Sequence, residues 1–207
     1  MKIKFSLNFT KRLYGILIVF VIMVIAVSII SFTEISKINR LSQLSDSLHE
    51  LKAFFKQKEA DHLKWLNTLQ QAFFFESGTK EKVEVDHQKC SLGRFIFGPK
   101  RKEYAKLIPE LEAQLKSMEA PHQVLHSSAK KIYAALEKKA ATENAEGEAN
   151  TPDQGNSGNH TALQIIRTET IPSVEKVQRI IAQMQVQIDN KLEEAVLEKD
   201  HVIERME

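Results

Sequence analysis

Cysteine is nearly absent from the 207-residue chain: the single Cys90 excludes an internal disulfide and is left as a buried filler, a reactive thiol or a metal ligand. Glycine and proline are scarce as well, at seven and five, which argues against a turn-rich all-β fold. What replaces them is Leu, Glu, Lys, Gln and Ala, a composition that favours long helices. Acidic residues are missing from residues 1–33, where Lys2, Lys4, Lys11 and Arg12 stand alone. The rest of the chain is close to charge-balanced, so nothing in it points to nucleic acid as a partner.

The longest uncharged run extends from Leu13 to Thr33. At about 1.5 Å per residue it spans a hydrocarbon core of about 30 Å. A cleaved signal peptide has a shorter apolar region ending in small residues, whereas this run ends in Ile29, Ile30 and Phe32, so the reading is an uncleaved anchor. The expected layout is a basic cytoplasmic segment at 1–12, a transmembrane helix at 13–33 and an extracytoplasmic body at 34–207. The positive-inside rule sets this orientation in the inner membrane, with the body periplasmic where a cell has two membranes. A single span, or the front of a longer chain, fits equally.

In the body, apolar residues at 41, 44, 48, 51, 55, 66, 69 and 73 follow helical spacing, predicting a helix from near Glu34 to Phe75 that Ser77-Gly78-Thr79 ends. A shorter element over Val83–Phe97 carries Cys90 and stops at Gly98-Pro99, and residues 100–108 read as a basic connector with some helical character. A third helix begins near Pro109 with the stripe Leu111, Leu115, Met118, His122, Leu125, Ala129, Ile132 and Leu136, and Pro121 predicts a kink in it. Residues 141–160, almost free of apolar side chains, are expected to form a mobile loop. A last amphipathic helix reads Leu163, Ile166, Thr170, Val174, Val177, Ile181, Met184, Ile188, Leu192 and Val196, with Pro172 near its start. The first and last helices would each extend roughly 65 Å. The expected fold is therefore all-α: an antiparallel, four-helix-type bundle preceded by one transmembrane helix.

Four side chains stand where this pattern wants apolar residues or where their chemistry converges: His62, Cys90, His122 and His126. His62 continues the first stripe, and His122 and His126 are four apart on one helix face, the spacing that lets two imidazoles reach one ion. With the Cys90 thiolate they make a tetrahedral N/S donor set suited to Zn²⁺, and a closed shell of four suits structure or sensing better than hydrolysis. Each residue has an ordinary alternative, a hydrogen-bonded core histidine or a small buried hydrophobe. His87 competes directly, since H-x-x-C at 87 and 90 pairs two donors on a helical face. His49, His160 and His201 read as solvated.

His62-Leu-Lys-Trp65, Cys90-Ser-Leu92-Gly93-Arg-Phe95 and His122-Gln-Val-Leu-His126, in this order, resemble the chemoreceptor zinc-binding domain family over about residues 55–135. Phe95 stands where that family often has tryptophan. The resemblance implies a helical-bundle sensor holding Zn²⁺ through His62, Cys90, His122 and His126, and it favours His62 over His87. It implies a sensory part of a chemoreceptor or cyclic-dinucleotide enzyme, in which zinc occupancy or cysteine oxidation alters signalling. Trp65 is expected to pack over the site and Gly93 to admit a neighbouring helix or simply weaken its own, with Asp61 or Glu59 holding an imidazole N–H. The partners expected are a second copy in a homodimer, the membrane, and a downstream signalling domain or protein. A structural or interaction bundle stabilised by zinc is the rival reading. No catalytic residue can be proposed: there is no Ser-His-Asp order, phosphate loop or H-E-x-x-H.

Overall fold

A computed structural model describes residues 6–74, 82–145 and 157–206. Among these residues there is no strand, and the fold is all-α. Helix α1 spans Ser6–Phe74, α2 Ser91–Ile96, α3 Pro99–Leu107, α4 Glu110–Ala145, α5 Ser157–Ile165 and α6 Ile171–Glu204, with a π-helical turn over Ile166–Thr170. The expected stop at residues 77–79 lies outside the described residues, as do residues 146–156.

Two compact units divide the chain, Met1–His49 with Leu192–Glu207, and Glu50–Lys191. The membrane-length run and the helix expected after it form one uninterrupted helix, and no glycine or proline stands in residues 16–74 to break it. Large hydrophobic side chains from Leu13 to Phe32 are exposed, and Lys11–Ala72 is a helix long and apolar enough to cross a membrane. Past that run, Leu41 and Leu48 on α1 and Leu192, Ala195 and Val202 on α6 are buried. Lys37 pairs with Glu198 at 2.8 Å, and Arg205 stands 3.9 Å from Glu34.

The second unit is an up-down-up-down arrangement whose second leg is broken. Pairings of Phe54 with Phe95 and of Trp65 with Glu84 show the segment 82–107 running back along α1. Contacts of His62 with His122 and of Trp65 with His126 show α4 running parallel to α1. Ser128–Thr170, Lys131–Glu169 and Lys52–Asp189 then set the last leg antiparallel to both. The shared core includes Leu51, Phe55, Leu69, Leu115, Met118, Leu125, Ile132, Ile181 and Ile188.

Local chemistry breaks the second leg. The Asp86 side chain accepts from Gln88 N–H and its carbonyl from Lys89 N–H, a turn that competes with helix. The expected element over 83–97 is therefore irregular to residue 90 and helical only from Ser91. Gly98 caps α3 with Pro99 in its first turn, and extended Ile108 precedes Pro109. Arg101, on α3, joins the legs by donating to the Ile96 carbonyl, Glu112 and Glu119.

Both ends of the expected loop at 141–160 are helical, since α4 continues to Ala145 and α5 begins at Ser157. Pro121 is accommodated within α4. On the last leg Ala162 is buried and Leu163 only half-buried, so the face reads 162, 166, 170 and 174. Three steps of four overshoot a 3.6-residue period by about one residue, which the π turn absorbs. Pro172 favours this turn, because it has no N–H to return to the carbonyl four residues earlier. Further along, Val196 is exposed and Ala195 takes the buried position.

The turn places Thr170 in the core, where its hydroxyl meets that of Ser128 at 2.8 Å, both fully buried, and Ser128 also donates to the Leu125 carbonyl at 2.7 Å. Replacing Ser128 by Ala or Thr170 by Val is expected to cost about 1 kcal/mol each. The double variant should cost less than the two singles together by about 0.5 kcal/mol or more. Urea unfolding of the full chain measures this cycle, and strict additivity would remove the pair from the core's energetics.

Candidate metal centre

His62 from α1, His122 and His126 from α4 and Cys90 from the start of α2 come together, each offering a donor atom within 4.8 Å of all the others. His62 Nε2 stands 3.3 Å from His122 Nε2, which is 3.2 Å from Cys90 Sγ. Donors bound to one tetrahedral zinc lie about 3.3–3.6 Å apart for nitrogen and a single sulfur, so these two distances are close to that spacing. The three histidines are buried and Cys90 is half-buried.

Backbone carbonyls fix the tautomers of two of the three imidazoles. His62 Nδ1–H donates to the Lys58 carbonyl and His126 Nδ1–H to the Glu84 carbonyl, both at 2.7 Å, because a carbonyl can only accept. That leaves Nε2 of each ring as a bare lone pair, and His126 Nε2 is buried with no hydrogen-bond partner. His122 Nδ1 is likewise unpartnered. A buried, converging set of lone pairs is costly without a cation, and this donor set fits Zn²⁺.

Protonation states agree with this. Burial pushes the His122 ring down to about 2 and the His126 ring to about 4, each with help from neighbouring histidines, and burial also lowers His62. All three are neutral at physiological pH. Burial raises the Cys90 thiol, against the pull of the Gly93 and Leu92 N–H groups. Without a metal the sulfur keeps its proton, which a zinc ion would displace.

Cys90 owes its place to helix capping. It is the N-cap of α2, with extended backbone, and its Sγ accepts the Gly93 N–H at 3.2 Å. It therefore does not share a helical face with His87, which lies in the preceding turn. The His87 ring is 6.1 Å from that of His122 and packs against Phe97 at 5.7 Å, outside the group of four. Gly93 admits the chain's own backbone: a Cβ there would stand 1.8 Å from the His87 carbonyl oxygen. Trp65 packs beside the site, its ring 5.3 Å from that of His126, and its indole N–H donates to the Glu84 carbonyl at 2.9 Å.

Asp61 and Glu59 hold no imidazole N–H, because the helix carbonyl four residues before His62 is already in reach. Asp61 instead accepts from Lys58 at 2.5 Å and Gln57 at 2.8 Å. His49, His160 and His201 are exposed. The carbonyls of Lys58 and Glu84 are functional groups that side-chain patterns do not reveal.

Residues 62–133 match the family model described as the chemoreceptor zinc-binding domain, bounds that contain all four site residues. No curated protein and no solved structure matches the chain.

Gly93→Ala is expected to push the 87–88 backbone away from α2, lowering stability by about 1–3 kcal/mol. Trp65, the chain's one tryptophan, should report the displacement as altered emission. Unchanged unfolding and emission would show that the turn yields without disturbing the site.

Proposed function

We propose that this protein is a membrane-anchored zinc-binding sensor domain, with His62, Cys90, His122 and His126 as the ligands. The observation that carries the reading is the convergence of these four donors around an unpartnered imidazole nitrogen. The match to a zinc-binding domain over the same residues supports it. Zinc, when bound, supplies a fourfold electrostatic tie between α1, the turn before α2, and α4.

The ligand-bearing elements carry the rest of the account. His122 and His126 lie on the helix whose Ser128 meets Thr170 at the π turn, so a shift of α4 bears on the start of α6. Losing the Cys90 ligand, through metal exchange or oxidation of the sulfur, would free the turn that α2 holds. The output then passes through α6 to a signalling partner, in a protein that acts as a homodimer. A structural zinc bundle is the second reading; it predicts that zinc changes exchange protection only around the site and leaves α6 untouched.

Purified full-length protein should hold about one zinc per chain, lost in Cys90→Ala and His62→Ala and kept in His87→Ala. Hydrogen exchange after chelation should rise in residues 82–98 and also at the start of α6. A parent protein that takes up no zinc after reduction and reconstitution would overturn the reading.

Charge sets the orientation. Lys2, Lys4, Lys11 and Arg12 precede the apolar run, against Lys37 and Arg40 shortly after it, which favours the amino-terminal side in the cytoplasm. Glu50→Cys in a Cys90→Ala background should be labelled on intact cells by an impermeant maleimide. Labelling only after permeabilisation would place the domain inside.

A further inference from the structure

Residues 82–86 form a strap without regular structure, and the side chains of Tyr133, Trp65 and His126 bind its backbone. Val83 N–H donates to the Tyr133 hydroxyl at 3.0 Å. One residue on, the Glu84 carbonyl accepts both the Trp65 indole N–H and His126 Nδ1–H. A carbonyl oxygen has two lone pairs, so this one is saturated and its direction is fixed from two sides.

We propose that Tyr133 is a positioning residue that selects the His126 tautomer, acting through the strap. Tyr133 and His126 stand on one face of α4, seven residues apart, so the hydroxyl sets where Val83, and hence the adjoining Glu84 carbonyl, sits relative to the imidazole. That carbonyl keeps the ring proton on Nδ1 and leaves Nε2 bare towards His62, Cys90 and His122. With the carbonyl displaced, the neutral ring is free to carry its proton on Nε2, pointing an N–H where a ligand lone pair is needed. Trp65 shares the task, and the rings of Trp65 and Tyr133 both pack against the apolar cluster of Leu69, Ala129 and Ile132. Tyr133 offers the cleaner test, because Phe removes the hydroxyl and keeps the ring against Lys82.

The consequence for metal retention rests on the zinc reading, whereas the tautomer does not, and the experiment separates them. Full-length protein labelled with ¹⁵N-histidine is stripped of metal in detergent, and long-range ¹H–¹⁵N spectra give the tautomer of His126, identified by its loss in His126→Gln. The parent should show the Nδ1–H form and Tyr133→Phe a mixture of the two. After zinc loading, Tyr133→Phe should release zinc to a chelator about tenfold faster than the parent. Trp65→Phe, which keeps an aromatic ring but loses the other donor, should shift the tautomer in the same direction and serves if Tyr133→Phe fails to fold. A parent that shows the Nδ1–H form but binds no zinc would defeat the zinc reading and leave the proposal standing. Nδ1–H retained in full in the folded variants would overturn it, as would an Nε2–H parent.

Discussion

Three imidazoles and one thiol are held at close quarters in the second unit, the three rings buried and His126 Nε2 among their nitrogens without a partner. Each histidine could escape by protonating, but burial opposes the charge and drives His122 and His126 far below their usual range. Escape by rotation is closed to His62 and His126, whose Nδ1–H groups are bound to the carbonyls of Lys58 and Glu84. The donors of His62 and His126 are thus oriented by hydrogen bonds made on the far side of each ring, an arrangement that a divalent cation would relieve.

This constraint explains why the second leg of the bundle is broken. An unbroken helix from 82 to 107 would satisfy its own carbonyls, and Glu84 would have none to offer Trp65 and His126. The turn at Asp86 frees that carbonyl, and the new helix that follows begins with Cys90 as its cap, which brings the sulfur to His122. Gly93 closes the arrangement, because the turn folds back so tightly that its carbonyl at His87 occupies the place of a Cβ.

The buried faces were legible because they repeat. Leu41, Leu48, Leu51, Phe55, His62 and Leu69 on one helix, and Leu111 through Ile132 on another, occupy the core as their spacing implied. His62 and the His122/His126 pair were visible as polar interruptions of those stripes. The choice of His62 over His87 came from the order of motifs, since H-x-x-C looks equally good until the turn at 87–89 is known. Less was readable where backbone does the work: no side-chain pattern announces the Glu84 carbonyl, and the π turn betrays itself only in four-residue steps from Ala162 to Val174. Polar composition at 141–145 and 157–160 suggested a loop, yet helix propagation from α4 and the packing of Ala162 and Ile166 carry the helices into both ends.

The central claim is that one ion is held by three imidazole nitrogens and one thiolate sulfur. X-ray absorption at the zinc edge of the loaded, reduced full-length protein measures that shell directly. The account predicts four-coordination, with about three nitrogen scatterers at about 2.0–2.1 Å and one sulfur at about 2.3 Å. A shell without sulfur, or one of five or six light atoms, would contradict it.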